Sequence, residues 1–389
     1  MPPEEFDPFS QAIMLEPYEH YRWLRETAPV YNVPNTDIWA VSRYADADYV
    51  LRTHGVFSST GGVGPEWEPH PMLSMYDPPE HTRLRRLVAA RFTPKFVATL
   101  AERMTASAER LMVPLVEAGS GDFVTELAEP MTATLMADVL GIPEERRGDF
   151  RRWSTGILDT LSSRHDPVAA KEAEATRVAL LAYLRELIAQ RQTRPPEGDI
   201  ISLLLQAHER EALTPKEVLA FCVLLLVAGY ETSTNAVANF LNALARHPAA
   251  FEALRSDPAL VPSAVEEGLR YDSADQAFFR NTLSDTKIAD VLVPARSKVM
   301  VLLGSGNRDD GKFPNADVFD VRRNASDHLA FGSGVHYCLG ASLARQQLSI
   351  VIRSLVRHAA SISPAGPGER VVTVITRGFR TLPLHVDAA

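Results

Sequence analysis

The chain has 389 residues, 46% hydrophobic and 23% charged, with a formal net charge of −9. That balance fits a soluble globular protein with a sizeable core, and the acidic excess argues against a nucleic-acid partner, which requires a basic face. The two cysteines, Cys222 and Cys338, are too few for a disulfide framework and point to a reducing compartment.

In chain order, Glu16-Pro17 opens a predicted helix over 17–28, and 30–33 with 38–41 reads as a hairpin around Pro34-Asn35-Thr36-Asp37. A helix is expected near 45–53. The proline- and glycine-rich stretch 57–76 reads as a loop, and its Trp67, Met72 and Leu73 suggest that it covers something. Helical periodicity then runs through 79–91, 95–118, 123–141, 144–162, 168–192 and 198–209. Thr214-Pro215-Lys216-Glu217 supplies an N-cap, an N1 proline and an N3 acid, and the pattern that follows is unbroken to His247, about 48 Å of helix. Helices over 248–255 and 258–271, strands over 277–283, 291–294 and 298–303, a helix from Cys338 to His358 and an alternating tail over 370–386 complete the reading. No linker divides the chain, so the expectation is one domain over 1–389, mainly α with a small β-sheet region, an α+β class. No leader is visible and no run reaches the ~18 apolar residues of a membrane span. A cytoplasmic monomer is expected.

Four segments carry candidate chemistry. In Phe331-Gly-Ser-Gly-Val-His336-Tyr-Cys338-Leu-Gly340, a cysteine lies between a glycine bend and a helix start, where unpaired N–H groups favour a thiolate. The thiolate would serve as a nucleophile, with His336 as its base, or as a metal ligand. In Ala228-Gly229-Tyr-Glu231-Thr232 a glycine, an acid and a hydroxyl interrupt an apolar helix. This reads either as a groove with a proton relay or as Thr232 bonding back to its own helix with Glu231 in solvent. Glu267 and Arg270 share a helix face, the usual arrangement of a surface pair. His81 and Arg85 place two basic groups on one face of another helix.

Together these segments resemble the cytochrome P-450 monooxygenases of the soluble bacterial type. The cysteine loop with Leu343-Ala-Arg345 resembles the family's haem-binding loop, and Glu267-x-x-Arg270 its helix-borne ion pair. Asn307-Arg308-Asp309, Phe313-Pro314 and Phe319-Asp320 through Arg322 resemble its meander. Ala228-Gly-Tyr-Glu231-Thr232 resembles its oxygen-activating helix, and Asp77-Pro-Pro-Glu-His81 matches the soluble bacterial members. The motifs run in register from Asp7 to Pro383.

The resemblance implies a set of roles. Cys338 would ligate the iron of haem b, with Phe331 packed near the sulfur and Ala228 and Gly340 against the cofactor. His81, Arg85, Arg280 and His336 would hold the propionates, which removes His336 as a base. Glu267 and Arg270 would brace the fold, with Arg308 or Arg322 as a third member. Glu231 and Thr232 would relay protons to oxygen bound from O2. The substrate would be a mostly apolar or aromatic small molecule, oxygenated, coupled or cyclised, in secondary metabolism. Candidate walls are Trp67, Met72, Leu73, Leu225, Phe278, Phe279 and Phe379. Asp275 stands where the family often has an apolar residue. It reads as a solvated or helix-end acid, or as a receptor for a substrate N–H or cation. Electrons would come from a ferredoxin or flavodoxin with its reductase, docking near Arg85, Arg86, Arg322, Arg323 and Arg345. A haem-thiolate gas or redox sensor is the alternative. A cysteine hydrolase is disfavoured, because residues two apart on a tight loop make poor nucleophile–base geometry.

Overall fold

A computed structural model describes residues 5–66, 72–89, 92–150, 152–153, 167–193, 199–211 and 213–389. Helices dominate, and the longest is the central helix, Pro215–Arg246. Its start is the expected capping box: Thr214 Oγ1 accepts from the Glu217 N–H, and the Glu217 carboxylate accepts from the Thr214 N–H. Among the described residues it alone is long and apolar enough to cross a membrane. Its apolar residues instead meet neighbouring helices: Glu129–Leu140, Pro167–Thr193, Ile200–Glu211 and Val261–Tyr271 all pack against it. Together with Pro94–Ala118 and the C-terminal helix Ala341–His358 they enclose the main core, which includes Leu226, Tyr230, Val237, Leu241 and Leu244 of the central helix.

Beside this helical body stands a five-stranded sheet. Its strands are β1 (Val30–Asn32), β2 (Ile38–Val41), β3 (Phe57–Ser58), β5 (Ala277–Thr282) and β8 (Lys298–Leu302), in the order β1-β2-β8-β5-β3. Period-two alternation assigns its faces. Val41, Val299 and Val301 join Val50, Leu51 and Phe57 on one side, whereas Ile38, Ala40, Met300 and Leu302 join Phe6, Tyr21 and Leu24 on the other. Smaller sheets pair β6 (Thr286–Ile288) with β7 (Val291–Val293) and β10 (Glu369–Arg370) with β11 (Phe379–Thr381). A third joins β4 (Ser120–Asp122), β12 (Pro383–Ala388) and β9 (Ala359–Pro364). The mixed, mainly helical class read from the sequence is the observed one.

The helix predicted over 17–28 is Tyr18–Thr27, with Pro17 at its N-cap, and a short helix not named from the sequence, Gln11–Leu15, precedes it. Two boundaries differ. The run predicted over 123–141 opens as a π turn, Val124–Ala128, before becoming α-helical at Glu129. The C-terminal helix begins at Ala341, not at Cys338, which stays on the loop. Part of the helix predicted over 144–162 lies outside the described residues.

Candidate active site

The loop that presents Cys338 is shaped by its glycines. Gly332 and Gly334 have φ of 66° and 70°, where a side chain is strained. A Cβ on Gly334 would also lie 2.7 Å from the Leu51 carbonyl oxygen, so this glycine lets the loop press onto the end of helix Tyr44–Arg52. Ser333 Oγ donates to Asp48 Oδ1 at 2.6 Å, and the Cys338 N–H closes the loop onto the Phe331 carbonyl at 2.9 Å. Cys338 is exposed as a residue, yet the surrounding protein pushes its thiol up to about 11; an N–H bond from Gly340 works in the opposite direction. Cys338 is thus both exposed and surrounded by protein, as a residue facing a cleft is. The expected thiolate stabilisation at a helix start is therefore outweighed in the free thiol, and a bound cation is what favours the thiolate. Phe331 is buried beside the loop with the Arg345 guanidinium 4.6 Å from its ring centroid.

The bases named from the sequence converge at one end of this cleft. His81, on helix Glu80–Ala89, and His336 have ring centroids 4.2 Å apart. Burial, then Arg85, depress His81 to about 4; burial, then Arg280, His81 and Arg85, depress His336 to about 2. Arg280 is buried, which lowers it to about 10, and Asp77 partly offsets that. Arg85 donates to the Tyr337 carbonyl at 2.6 Å and so also braces the cysteine loop. His336 Nε2 lies 3.2 Å from Ser59 Oγ. Both ring nitrogens of His81 are buried without a partner among the described residues. Buried unpartnered polar atoms are rare in native proteins. Here they stand among three further basic groups, so the arrangement fits an anionic group held beside Cys338. The two carboxylates and the iron of haem match that donor set.

The central helix forms the opposite wall. Ala228 is exposed in the middle of this otherwise packed helix. Gly229 does not open a groove: a Cβ there would meet Met136 Sδ at 2.8 Å, so its missing side chain is filled by a neighbouring helix. Thr232 Oγ1 donates to the Ala228 carbonyl at 2.6 Å. Glu231 turns inward rather than to solvent. Its Oε1 accepts from Thr376 Oγ1 at 2.7 Å, and burial raises its carboxyl. Thr376 forms an antiparallel bridge with Asp275. Burial, then Glu231, push Asp275 up to about 7. The solvated reading of Asp275 is corrected: it is half-buried beside Glu231.

Several expectations change. Phe279 is core rather than pocket wall, fully buried with Met300, whereas Phe278 is half-buried against Val301 and Phe57. Phe379 is buried in the main core, with Arg370 3.8 Å from its ring centroid. Leu73 is buried in that core too, Leu225 is half-buried against it, and Met72 is half-buried. Trp67 lies outside the described residues.

Glu267 and Arg270 are not a surface pair. Both are fully buried and joined by two bonds, of 2.7 and 2.8 Å. The third member is Arg323, 3.3 Å from Glu267 Oε1, whereas Arg308 binds Asp317 and Arg322 is exposed. Three arginines of the expected docking patch are committed internally: Arg85 to Tyr337, Arg323 to Glu267 and Arg345 to Glu266. Thr376 was not singled out from the sequence, and Asp77 was quoted only as part of the Asp77–His81 motif, without a role of its own. Asp77 accepts from the Ser58 hydroxyl and the Ser59 N–H, and so ties the 57–60 segment beneath the basic cluster.

Comparison with known proteins places this geometry. The model of the Cytochrome P-450 family matches residues 13–359. Cytochrome P-450 107B1 of Saccharopolyspora erythraea is 33% identical over 98% of this chain and 97% of its own. The Vitamin D(3) 25-hydroxylase of Pseudonocardia autotrophica is 33% identical over 98% and 96%. The structure of cytochrome P-450 CYP109Q5 from Chondromyces apiculatus superimposes with a TM-score of 0.90 at 36% identity, covering 99% of both chains. That of CYP109E1 from Bacillus megaterium in complex with testosterone gives 0.87 at 32%, covering 95% and 99%. The chain belongs to the cytochrome P-450 family and is a monooxygenase that uses haem b with O2 as co-substrate.

Proposed function

We propose that the protein inserts one oxygen atom into a mostly apolar small molecule, as a single-domain enzyme with electrons from a separate ferredoxin or flavodoxin and its reductase. The observation that carries this reading is the exposed Cys338 on a loop braced by Arg85, with the ring nitrogens of His81, unpartnered among the described residues, packed against His336 beside it. The bound haem supplies oxygen activation, to which the thiolate contributes electron density. The side chains around it divide the remaining work. Cys338 holds the metal. His81, Arg85, Arg280 and His336 bind and orient the propionates through charge-assisted bonds, and His81 offers two ring nitrogens that have no partner among the described residues. Thr232 holds a proton at Oγ1, bonded to Ala228 at 2.6 Å, and passes it into the cleft. Glu231 resupplies that hydroxyl from the side of Thr376.

The family relationship supports an apolar substrate, since relatives include a vitamin D(3) hydroxylase and a structure in complex with testosterone. The Glu231–Thr232 pair favours turnover over a sensor, which needs no proton delivery. The experiment is the absorption spectrum of the reduced protein under carbon monoxide. A red-shifted Soret band is expected. Haem bound without that shift would refute Cys338 as the ligand. Glu231→Gln should then slow oxygen-dependent product formation while leaving that spectrum unchanged; undiminished turnover would remove the proton relay.

A further inference from the structure

We infer that Asp275 determines specificity at this site by receiving a cationic nitrogen of the substrate, an inference that rests on the monooxygenase reading above. Asp275 precedes β5 and pairs through its backbone with Thr376. The Thr376 hydroxyl in turn holds Glu231 at 2.7 Å, so the strand start, the C-terminal segment and the central helix meet here. The negative charge of Asp275 also acts on Cys338, which sets it over the same cleft.

The carboxyl of Asp275 has no hydrogen bond or ion pair among the described residues. Nearby cations are committed elsewhere. Arg377, next to Thr376, binds Asp272 at 2.9 Å, Arg370 binds the same carboxylate at 3.3 Å, and Arg270 binds Glu267 at 2.7 Å. Among the described residues the wall therefore presents two carboxyl groups, Asp275 and Glu231, with no basic side chain to balance them. A half-buried carboxyl without a partner is unfavourable unless a ligand supplies the missing charge or donor. Burial, then the neighbouring Glu231, raise its carboxyl to about 7. The bases of this site lie at the other end, around His81 and His336. A substrate entering tail-first into an apolar cleft would meet acid, not base, at Asp275.

The test uses the haem-loaded full chain and the shift in haem spin state as a ligand displaces distal water. The probes are phenylalkyltrimethylammonium ions of increasing linker length, each paired with its neutral carbon isostere. A quaternary nitrogen cannot ligate iron, so the spectrum reports pocket filling alone. At the best length the wild-type protein should prefer the cation by about 10- to 100-fold, as expected for close Coulombic contact between opposite charges. Asp275→Asn should abolish the preference, and Asp275→Glu should keep it with a shifted optimum length. Equal binding of both partners at every length, or a preference that survives Asp275→Asn, would overturn the inference. The carbon monoxide spectrum separates the two failures. Without the red-shifted Soret band the monooxygenase reading falls; with the band and no charge preference, only the role of Asp275 falls.

Discussion

Replacing Arg323 by alanine should destabilise the protein, whereas replacing its neighbour Arg322 should not. Arg323 donates to Glu267 Oε1 at 3.3 Å and to the carbonyls of Pro314, Asn315 and Val318 at 2.7, 3.0 and 3.2 Å. Its side chain is 13% exposed and that of Glu267 is 0% exposed. The three carbonyls lie near solvent, so water replaces most of those contacts. The charged contact to a buried carboxylate has no such substitute. Loss of one charge-assisted bond plus partial loss of three weaker ones amounts to about 2–4 kcal/mol. Glu267 would keep both bonds to Arg270 and the Asp320 N–H at 2.9 Å, which holds the loss below that of removing Arg270 itself. For a chain of 389 residues, each kcal/mol moves the midpoint by about 1 °C, so Arg323→Ala should lower Tm by about 2–5 °C. Arg322 is exposed, and its bond to Asp320 uses the backbone N–H, which alanine retains. Its replacement should shift Tm by less than about 1 °C. The assay is thermal unfolding by circular dichroism at one scan rate on the haem-loaded protein. A loss for Arg322→Ala equal to that for Arg323→Ala would refute the assignment of Arg323 as the third member of the buried network.

Two glycines offer a second contrast. Gly268→Ala drives a Cβ to 2.8 Å from two ring carbons of the buried Phe240 and should cost about 1–2 kcal/mol net of the helix propensity gained. Gly229→Ala meets only the end of the flexible Met136 and should stay within about 1 kcal/mol of wild type; urea midpoints distinguish the two. Lys298→Met removes an ammonium that donates to the carbonyls of Gly61, Gly64 and Glu66 at 3.1, 3.2 and 3.1 Å. Limited proteolysis should then cut within 61–66 at least about tenfold faster, and an unchanged cutting rate would show that Lys298 does not hold the loop. Cys338→Ser should leave helix content intact by circular dichroism and eliminate the red-shifted Soret band of the reduced carbon monoxide complex; a retained band would assign the iron ligand to another residue.

What was legible in the sequence is what is decided locally or by a rigid motif. The Thr214–Glu217 capping box is four residues of chemistry, and it starts the central helix where expected. The glycines at 332 and 334 are needed for positive φ whatever surrounds them. Illegible features depend on distant packing. Whether Arg322 or Arg323 points inward is set by how the 314–323 segment wraps over helix Val261–Tyr271, which no local pattern encodes. Phe278 and Phe279 looked like one wall residue and one core residue. Phe279 is covered by Phe6, Tyr21 and Leu24 on one face of the sheet, and Phe278 packs half-buried against the other. The partner of Glu231 is Thr376, 145 residues away, and its local sequence offers no sign of that contact.

The distribution of charge across the cleft follows from these long-range contacts and limits how a ligand can lie in it. At one end His81, Arg85, Arg280 and His336 stand together. The acid nearest them, Asp77, is already bound by Ser58 and Ser59, so the charges of Arg85 and Arg280 and the donors of the neutral His81 and His336 suit a bound anion. At the other end Glu231 raises the cost of ionising Asp275, and Asp275 has no partner among the described residues. A ligand placed with an anionic group at the acidic end would leave both imbalances in place and add a repulsion. One placed with a cation there relieves the acid pair, while the propionates of haem relieve the bases. On the proposed reading the two ends would select independently, the basic end for the cofactor and the acidic end for the substrate. Substitutions at Asp275 should therefore change which molecules bind without changing haem retention, whereas substitutions at His81 should loosen haem without altering the preference for charge.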